Sequence, residues 1–538
     1  MKKRVLSMLL VVAMSVSLFA GCGGSKTDEN AATNNEETES AGGGTFVVPI
    51  NATSITSLTP YSIYGSDDGQ MAAAPCFDPL YVITGTGTRW YLAKSMEPTS
   101  DDGCHYEMKL NDGMKWHDGE AITADDVVYT VNMLADPANS GAPNEAVCYD
   151  GKVIKAEKVD DLTVAVTLEE PFSAFECEFG RIRILPEHIF GGQTCVKDMT
   201  EELAMCVGSG PFKLKEYVEG DSIIYERNDD YYREPASLDQ VVIKLMPDLS
   251  AQEAALQTGE ISMMRVTSQT KLEKYKADED YTVYTIPEGR LNYMTFNYQC
   301  DIWKNEDARK AVCLALNVDE IVAGAYGSDE LAIPAKNFCS PQNFYFNDEM
   351  EGYQQNIEEA KALAEKSGLT DITLNYIYFT QRPNMKETAQ IVQQQLKEIG
   401  VEVNIQGYDN GEFFMHLFAA WLTGETIEDT SWDLATNGMD SLNADPGTKM
   451  TSWKGELTQN GFYMSEASID LWERAAKSLD ETEREQLYKE LQVQMSDDYS
   501  LYPMANTNYV IVARKEFKGL DTILNYPIFE DYTVISME

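Results

Sequence analysis

Apolar and polar positions alternate through residues 106–110. Tyr106, Met108 and Leu110 fall on one face and Glu107 and Lys109 on the other, which is the two-residue period of a half-buried strand. Asn111-Asp112-Gly113 supplies residues that tolerate positive φ, and Met114-Lys115-Trp116 is expected to return as the second strand of a hairpin. After His117-Asp118-Gly119 the period changes. Thr123 with Asp126 three residues later makes a capping box, and Val127, Val131 and Leu134 recur at i, i+4 and i+7, so a helix with one buried face follows. His117 and Asp118 are read as turn chemistry closing the strand.

The same reading extends along the chain. Residues 46–50, 238–246 and 509–513 read as strands, residues 159–168 as a hairpin, and residues 254–261 as a helix. Ala308, Val312, Ala315 and Leu316 put residues 303–326 at helical spacing. A helix over 387–399 stops at Gly400 and leads into a strand at 401–405, an α/β order that implies parallel strands. Leu479, Arg484, Leu487, Leu491 and Met495 predict one long amphipathic helix over 472–495. At 538 residues the chain needs two or three such α/β domains rather than one core.

The N-terminus breaks this pattern. Met1-Lys2-Lys3-Arg4 followed by an apolar run over 5–19 is the form of an export leader and too short to span a membrane comfortably. Leu18-Phe19-Ala20-Gly21-Cys22 resembles a bacterial lipobox, with Cys22 the residue that takes the lipid. Residues 23–44 are Gly-, Ser-, Asn- and Glu-rich and cannot bury enough surface to fold, so they read as a tether on a lipid anchor.

Charge and candidate chemistry narrow the function by exclusion. With 88 acidic against 42 basic residues and a net charge of −46, nucleic acid and anionic surfaces are poor partners. The histidines His105, His117, His188 and His416 form no HExxH or paired ligand motif, so neither a metal site nor a cofactor is expected. Gly208-Ser209-Gly210 lacks the Lys-Ser/Thr of a phosphate-binding loop, and no GxSxG or Cys/His nucleophile arrangement appears, so no catalytic residue is assigned. Nine cysteines follow Cys22, and their spacing leaves any disulfide connectivity open. Most read as small buried hydrophobes.

Lys115-Trp116-His117-Asp118-Gly119 and Thr123-Ala124-Asp125-Asp126-Val127-Val128-Tyr129 resemble the signature segment of the peptide/nickel family of extracellular solute-binding proteins, the capture components of ABC importers. Phe77-Asp78-Pro79-Leu80-Tyr81, Ile184 to Phe190, Gly208 to Leu214 and Glu226 to Tyr232 repeat further family phrases in order. The resemblance implies a periplasmic-binding-protein-like α/β fold with mixed sheets: two main lobes around a hinge and an extra subdomain. The implied boundaries are leader 1–21, tether 22–44, a discontinuous lobe I of 45–76 with 208–285 and 508–538, lobe II of 77–207 and lobe III of 286–507.

For the ligand site the resemblance points to Asp440, with Asp445 as its rival, because relatives use an Asp near an Asp/Glu-Pro pair to receive a peptide ammonium. Tyr293, Phe296 and Asn297 on the strand entering lobe III, and Trp453 downstream, complete the candidates. The expected function is capture of a peptide or similar small polar solute by a lipid-anchored monomer at the outer face of the cell membrane, for delivery to ABC permease subunits. The alternatives are capture of a nickel chelate, an oligosaccharide or a signalling peptide, and, in another class, a secreted hydrolase.

Overall fold

The computed structural model of the protein describes residues 43–538, apart from positions 56, 62–66, 85–86, 137, 139–145, 150, 195–205, 424–426, 441–444, 449–462 and 523–530. The expected leader, Cys22, nearly all of the tether, Cys195 and Trp453 lie outside the described residues. In chain order the elements used below begin with β1 (Thr45–Ile50), β2 (Ala93–Pro98), β3 (His105–Leu110), α1 (Ala124–Leu134), β4 (Lys155–Asp160) and β5 (Thr163–Thr167). There follow β6 (Phe212–Val218), β7 (Ser222–Arg227), β8 (Gln240–Leu245), α2 (Leu249–Thr258), β9 (Met263–Val266) and β10 (Tyr281–Phe296). The chain continues through α3 (Glu306–Ala315), α4 (Val318–Ala325), β11 (Ala332–Pro334), β12 (Thr373–Phe379), α5 (Met385–Glu398), β13 (Glu402–Tyr408) and α6 (Asn410–Thr423). It ends with β14 (Leu434–Asp440), α7 (Glu466–Lys477), α8 (Glu481–Asp497) and β15 (Tyr502–Arg514).

Three sheets organise these elements. The first has the order β1-β8-β7-β6, with β1 parallel to β8 and the others antiparallel. The second, β2-β3-β5-β4, is wholly antiparallel. The third runs β9-β15-β10-β14-β12-β13, with β11 also on β15; it is antiparallel up to β14 and parallel from β14 through β12 to β13. The fold is therefore α/β with mixed sheets, and the β12-α5-β13 crossover is the parallel unit expected from the helix-Gly-strand order. Gly400 ends that unit's helical segment at φ +83°, a conformation that costs a glycine nothing.

Among the described residues two large apolar cores are accompanied by a smaller one, in which Phe413 and Leu417 of α6 meet Ile377 and Ala435. One of the large cores gathers Phe46, Val48, Ile223, Ile243, Met108 and Val164 from the two smaller sheets, and extends to Trp472, Leu487 and Leu491 of α7 and α8. The other packs α2, α3, α4 and α5 on one face of the large sheet through residues such as Leu256, Val312, Leu396, Leu374 and Val510.

The capping box of α1 forms as expected: the Thr123 side chain accepts from backbone N–H groups of the first turn, and the Asp126 carboxylate accepts from Thr123 N. Three expectations need correction. The segment after Gly113 is no second strand, because β3 takes both its partners from β2 and β5, and only the isolated bridge Lys115–Ala121 forms. The span 303–326 is divided at Leu316-Asn317, where the Asn317 side chain caps α4 by accepting from Glu320 N. The span 472–495 is likewise two helices. Asp480 accepts from Glu483 N at 3.0 Å, so a capping sequence lay inside the apolar period, and Leu479 sits in the break at 55% exposure.

The signature segment works as a strut. His117 Nε2 donates to Gly210 O at 2.9 Å while Gly208 N donates to His117 Nδ1 at 3.2 Å, so the neutral imidazole satisfies both bonds. Gly208 and Gly210 are needed there because a Cβ on either would lie 1.9 Å and 2.6 Å from the Cys76 main chain. Cys76 is joined to Cys206 by a disulfide beside the same contact, and Ser209 Oγ accepts from Asp78 N. Of the remaining described cysteines, Cys177, Cys313 and Cys339 are buried thiols and Cys104, Cys148 and Cys300 are half-buried.

Burial pushes the His117 imidazole down to about 4, with the Gly210 bond only partly offsetting it. The native state then binds fewer protons than the unfolded chain between pH 6.5 and 4, so this contribution is present above 6.5 and lost as the pH falls. Urea titrations at pH 7 and pH 5 should show a loss of roughly 2 kcal/mol in the wild type beyond that in His117→Gln. Equal losses in the two proteins would refute the strut.

Candidate ligand-binding site

In a sheet with parallel strands, the strand carboxyl ends leave an edge where loops and helix N-termini gather. Here β12, β13 and β14 end at Phe379, Tyr408 and Asp440, and α5 and α6 begin directly beyond the first two. β10 runs the other way and brings Arg290 opposite Asp440 at the same edge.

The ladder between β10 and β15 is interrupted there. Pro287 pairs with Asn508 and Arg290 with Thr507, which leaves Glu288 and Gly289 as extra residues in a bulge. Gly289 takes φ +61°, and the kink turns the Glu288 side chain inward to 3% exposure. Its two carboxylate oxygens each accept from Arg265 Nη2 at 3.1 Å, and Thr507 Oγ1 donates at 2.6 Å. Burial alone would raise this carboxyl. The guanidiniums of Arg265 and Arg290, the Thr507 bond and Arg382 outweigh it and hold Glu288 below the usual carboxylate range, so it is ionised.

Each arginine is oriented by its surroundings. Arg265, on β9, lies over the Tyr509 ring at 4.3 Å, and Arg382, just past β12, lies over Phe379 at 5.6 Å. Arg290 is 3% exposed and crosses Gly438 of β14, where a Cβ would stand 2.4 Å from its Nε and 2.7 Å from Asn292 Oδ1. Asn292 Nδ2 donates to the Tyr326 hydroxyl at 2.7 Å, and burial pushes that phenol up to about 12. Together these side chains and the first residues of α5 line a cavity of about 40 Å³. That is space for a carboxylate-sized group or about two or three waters.

The expected site residues are distributed unevenly around this edge. Asp440 closes β14 opposite Arg290; its side chain lies outside the described residues. Tyr293 is buried beside the cavity, its hydroxyl accepting from Asn437 Nδ2 at 3.2 Å. Phe296 is wholly buried against Trp303, with ring centroids 4.9 Å apart. Asn297 is equally buried and donates to Asp429 O and Trp432 O, both at 2.8 Å, which fixes the loop entering β14. Asp445 sits elsewhere, in a buried cluster where Gly447 N, at 2.9 Å, and Ser173 Oγ, at 3.4 Å, donate to it and Arg484 lies 3.8 Å away. Burial raises the Asp445 carboxyl against those bonds. Arg265, Glu288, Arg290 and Arg382 were not singled out from sequence. The signal for the first three was charge inside apolar strand pattern, Met264-Arg265-Val266 and Ile286-Pro287-Glu288-Gly289-Arg290-Leu291; Arg382, in Thr380-Gln381-Arg382-Pro383, carried none.

Residues 90–461 match the profile of the bacterial extracellular solute-binding proteins, family 5. The chain belongs to that family. It is 26% identical over 467 residues to the dipeptide-binding protein of Escherichia coli K12, covering 81% of this chain and 83% of that one. The oligopeptide-binding protein AppA of Bacillus subtilis is 28% identical over 431 residues, 75% of this chain and 76% of its own. The crystal structure of the ABC transporter substrate-binding protein CtaP from Listeria monocytogenes superposes with a TM-score of 0.80 at 31% identity, over 92% of this chain and 99% of that one. The protein is thus an extracellular solute-binding protein and not an enzyme, which removes the hydrolase alternative. Among the described residues no helix is long and apolar enough to cross a membrane.

Gly438→Ala tests the packing of the site. With Arg290 and Asn292 buried in the way of the new methyl, the variant should lose about 1–3 kcal/mol of stability. An unchanged denaturation midpoint would mean that Arg290 does not cross β14 as described.

Proposed function

We propose that the protein is a lipid-anchored receptor that captures a peptide or similar small polar solute between lobes and delivers it to the permease subunits of an ABC importer. Cys22 would carry the anchor, residues 23–44 the reach from the outer face of the membrane, and a single copy would suffice for capture. Lobe I (45–76, 208–285, 508–538), lobe II (77–207) and lobe III (286–507) would move about the passages between them. β10 and β15 form two of those passages, running through the proposed boundaries at 285/286 and 507/508.

One observation carries the reading. The carboxyl edge of the mixed sheet holds a cavity walled by the buried Glu288 and Arg290 of β10 and by the half-buried Arg265 of β9 and Arg382 between β12 and α5, next to the Asp440 terminus of β14. Those elements come from both lobe I and lobe III of the proposed division, as an interlobe ligand site requires. The dipeptide- and oligopeptide-binding relatives make a peptide the first solute to try. In that site Asp440 would receive a ligand ammonium through a charge-assisted bond. Tyr293, Phe296 and Asn297 would act by holding β10 and the β14 loop in place, and Asp445 by fixing the following segment.

Addition of an unmodified tripeptide should raise the melting temperature with the solute recovered intact. Asp440→Asn should weaken that peptide about tenfold or more in calorimetry, the scale of a lost charge-assisted bond. Unchanged affinity would reject Asp440 as the anchor.

A further inference from the structure

Ser173, just before the short helix Phe175–Phe179 in the proposed lobe II, meets the proposed lobe III at two points. Its backbone N–H donates to Ala476 O near the end of α7 at 2.7 Å, and its Oγ donates to Asp445 Oδ2 at 3.4 Å. Beside them Lys477 Nζ lies 3.3 Å from Glu170 Oε1, a carboxylate that Lys152 also holds. Leu479, in the break between α7 and α8, stands so close over Gly103 that a Cβ there would lie 2.5 Å from it. Ser173, Lys477 and Glu170 each keep some exposure, so water can replace these partners when the lobes part.

Two carboxyls behind those bonds are better covered. Asp445 is buried, and on its own lobe it faces Arg484, the Tyr345 and Tyr488 hydroxyls and the Cys339 thiol. Across the contact it faces Ser173 and Cys177, whose thiol is pushed up to about 12 by burial and then by the Asp445 carboxylate. Glu176 faces Arg484 across the contact and Glu97, Tyr81 and Tyr106 within lobe II. Arg484 is therefore shared between the two carboxyls. Its Nε and Nη2 donate to the Tyr345 hydroxyl at 2.9 and 2.8 Å, which holds the guanidinium 3.8 Å from Asp445.

We propose that this contact is a proton-linked latch: lobe III closes on lobe II through Ser173, Ala476 and Arg484, covers Glu176 and Asp445 as it does so, and holds a solute more tightly as the pH falls. Burial pushes the Glu176 carboxyl up to about 7, with Glu97 adding to the rise and Arg484 opposing it, and burial raises Asp445 against its bonds. When the lobes part, water reaches Glu176 and its carboxyl returns towards its ordinary 4.5. The closed form then binds more protons than the open form between pH 7 and pH 4.5. Its advantage is full below 4.5 and is lost as the pH rises through 7. None of these residues lines the cavity at the β10 bulge, so they are positioning residues that act on the solute through closure. The latch rests on the proposed lobes and on capture between them.

The test uses the full-length wild type and Glu176→Gln at pH 5.5 and pH 7.5, with Glu176→Ala in its place if that variant fails to fold. Without solute, small-angle scattering should give the wild type a smaller radius of gyration at pH 5.5 than at pH 7.5. In calorimetry its affinity for Ala-Ala-Ala should rise about three- to twentyfold over the same change. Glu176→Gln, neutral at both pH values, should bind more tightly than the wild type at pH 7.5 and lose most of the pH dependence in both measurements. A wild-type radius or Ala-Ala-Ala affinity that stays constant would overturn the latch, and measurable binding in that case would leave the peptide-receptor reading intact. A pH dependence that Glu176→Gln retains would also overturn it. Compaction that the variant abolishes, with no Ala-Ala-Ala binding at either pH, would uphold the latch and overturn the peptide reading. Neither compaction nor binding would overturn both.

Discussion

The pairing of β10 with β15 is the constraint on which the rest of the structure depends. β10 spans 16 residues, about 50 Å at the usual strand rise, and β15 follows it antiparallel from Tyr281 opposite Arg514 to Met294 opposite Tyr502. β15 carries β9 and β11 on its other side, and β10 carries β14, which in turn places β12 and β13. A ladder of that length would fix a flat, stiff ribbon. The bulge at Glu288-Gly289 breaks it at the level where the parallel strands end, and there converts backbone pairing into side-chain chemistry. The same two residues thus give the ribbon its bend and the cavity its counter-ion.

Electrostatics at that bulge run against the character of the whole molecule. The surface is strongly acidic, while three arginines are gathered round one buried glutamate. Such a group is stable only where each charge is bonded and oriented. Glu288 has Arg265 and Thr507, Arg265 and Arg382 each have an aromatic ring beneath them, and Arg290 has a glycine to cross. At the proposed ligand site such ordering would precede any solute and lower the cost of binding one.

Local rules in the sequence were enough for much of the framework. The Thr123–Asp126 box, the Gly400 stop and the parallel unit around α5 depend on neighbours within a few residues, and they appear as read. The errors came from elsewhere. Apolar period alone ran through the Asp480 and Asn317 caps, although both caps were present in the sequence. The return strand after Gly113 failed because β3 found its partners at β2 and β5, a choice made by distant residues. The same limit applies to the site. Phe296 and Asn297 lie on the expected strand, but only tertiary contacts turn them toward Trp303 and Trp432. The charge cluster joins residues 265, 288, 290 and 382, which no sequence window contains.

The central claim is that the carboxyl edge of the mixed sheet, at the β10 bulge, is where this protein holds its solute. A crystal structure of the protein as purified from cells, with whatever solute it retains, tests this most directly. The account predicts solute density at that edge, beside Asp440 and the β10 bulge. Solute bound elsewhere in the molecule would contradict it.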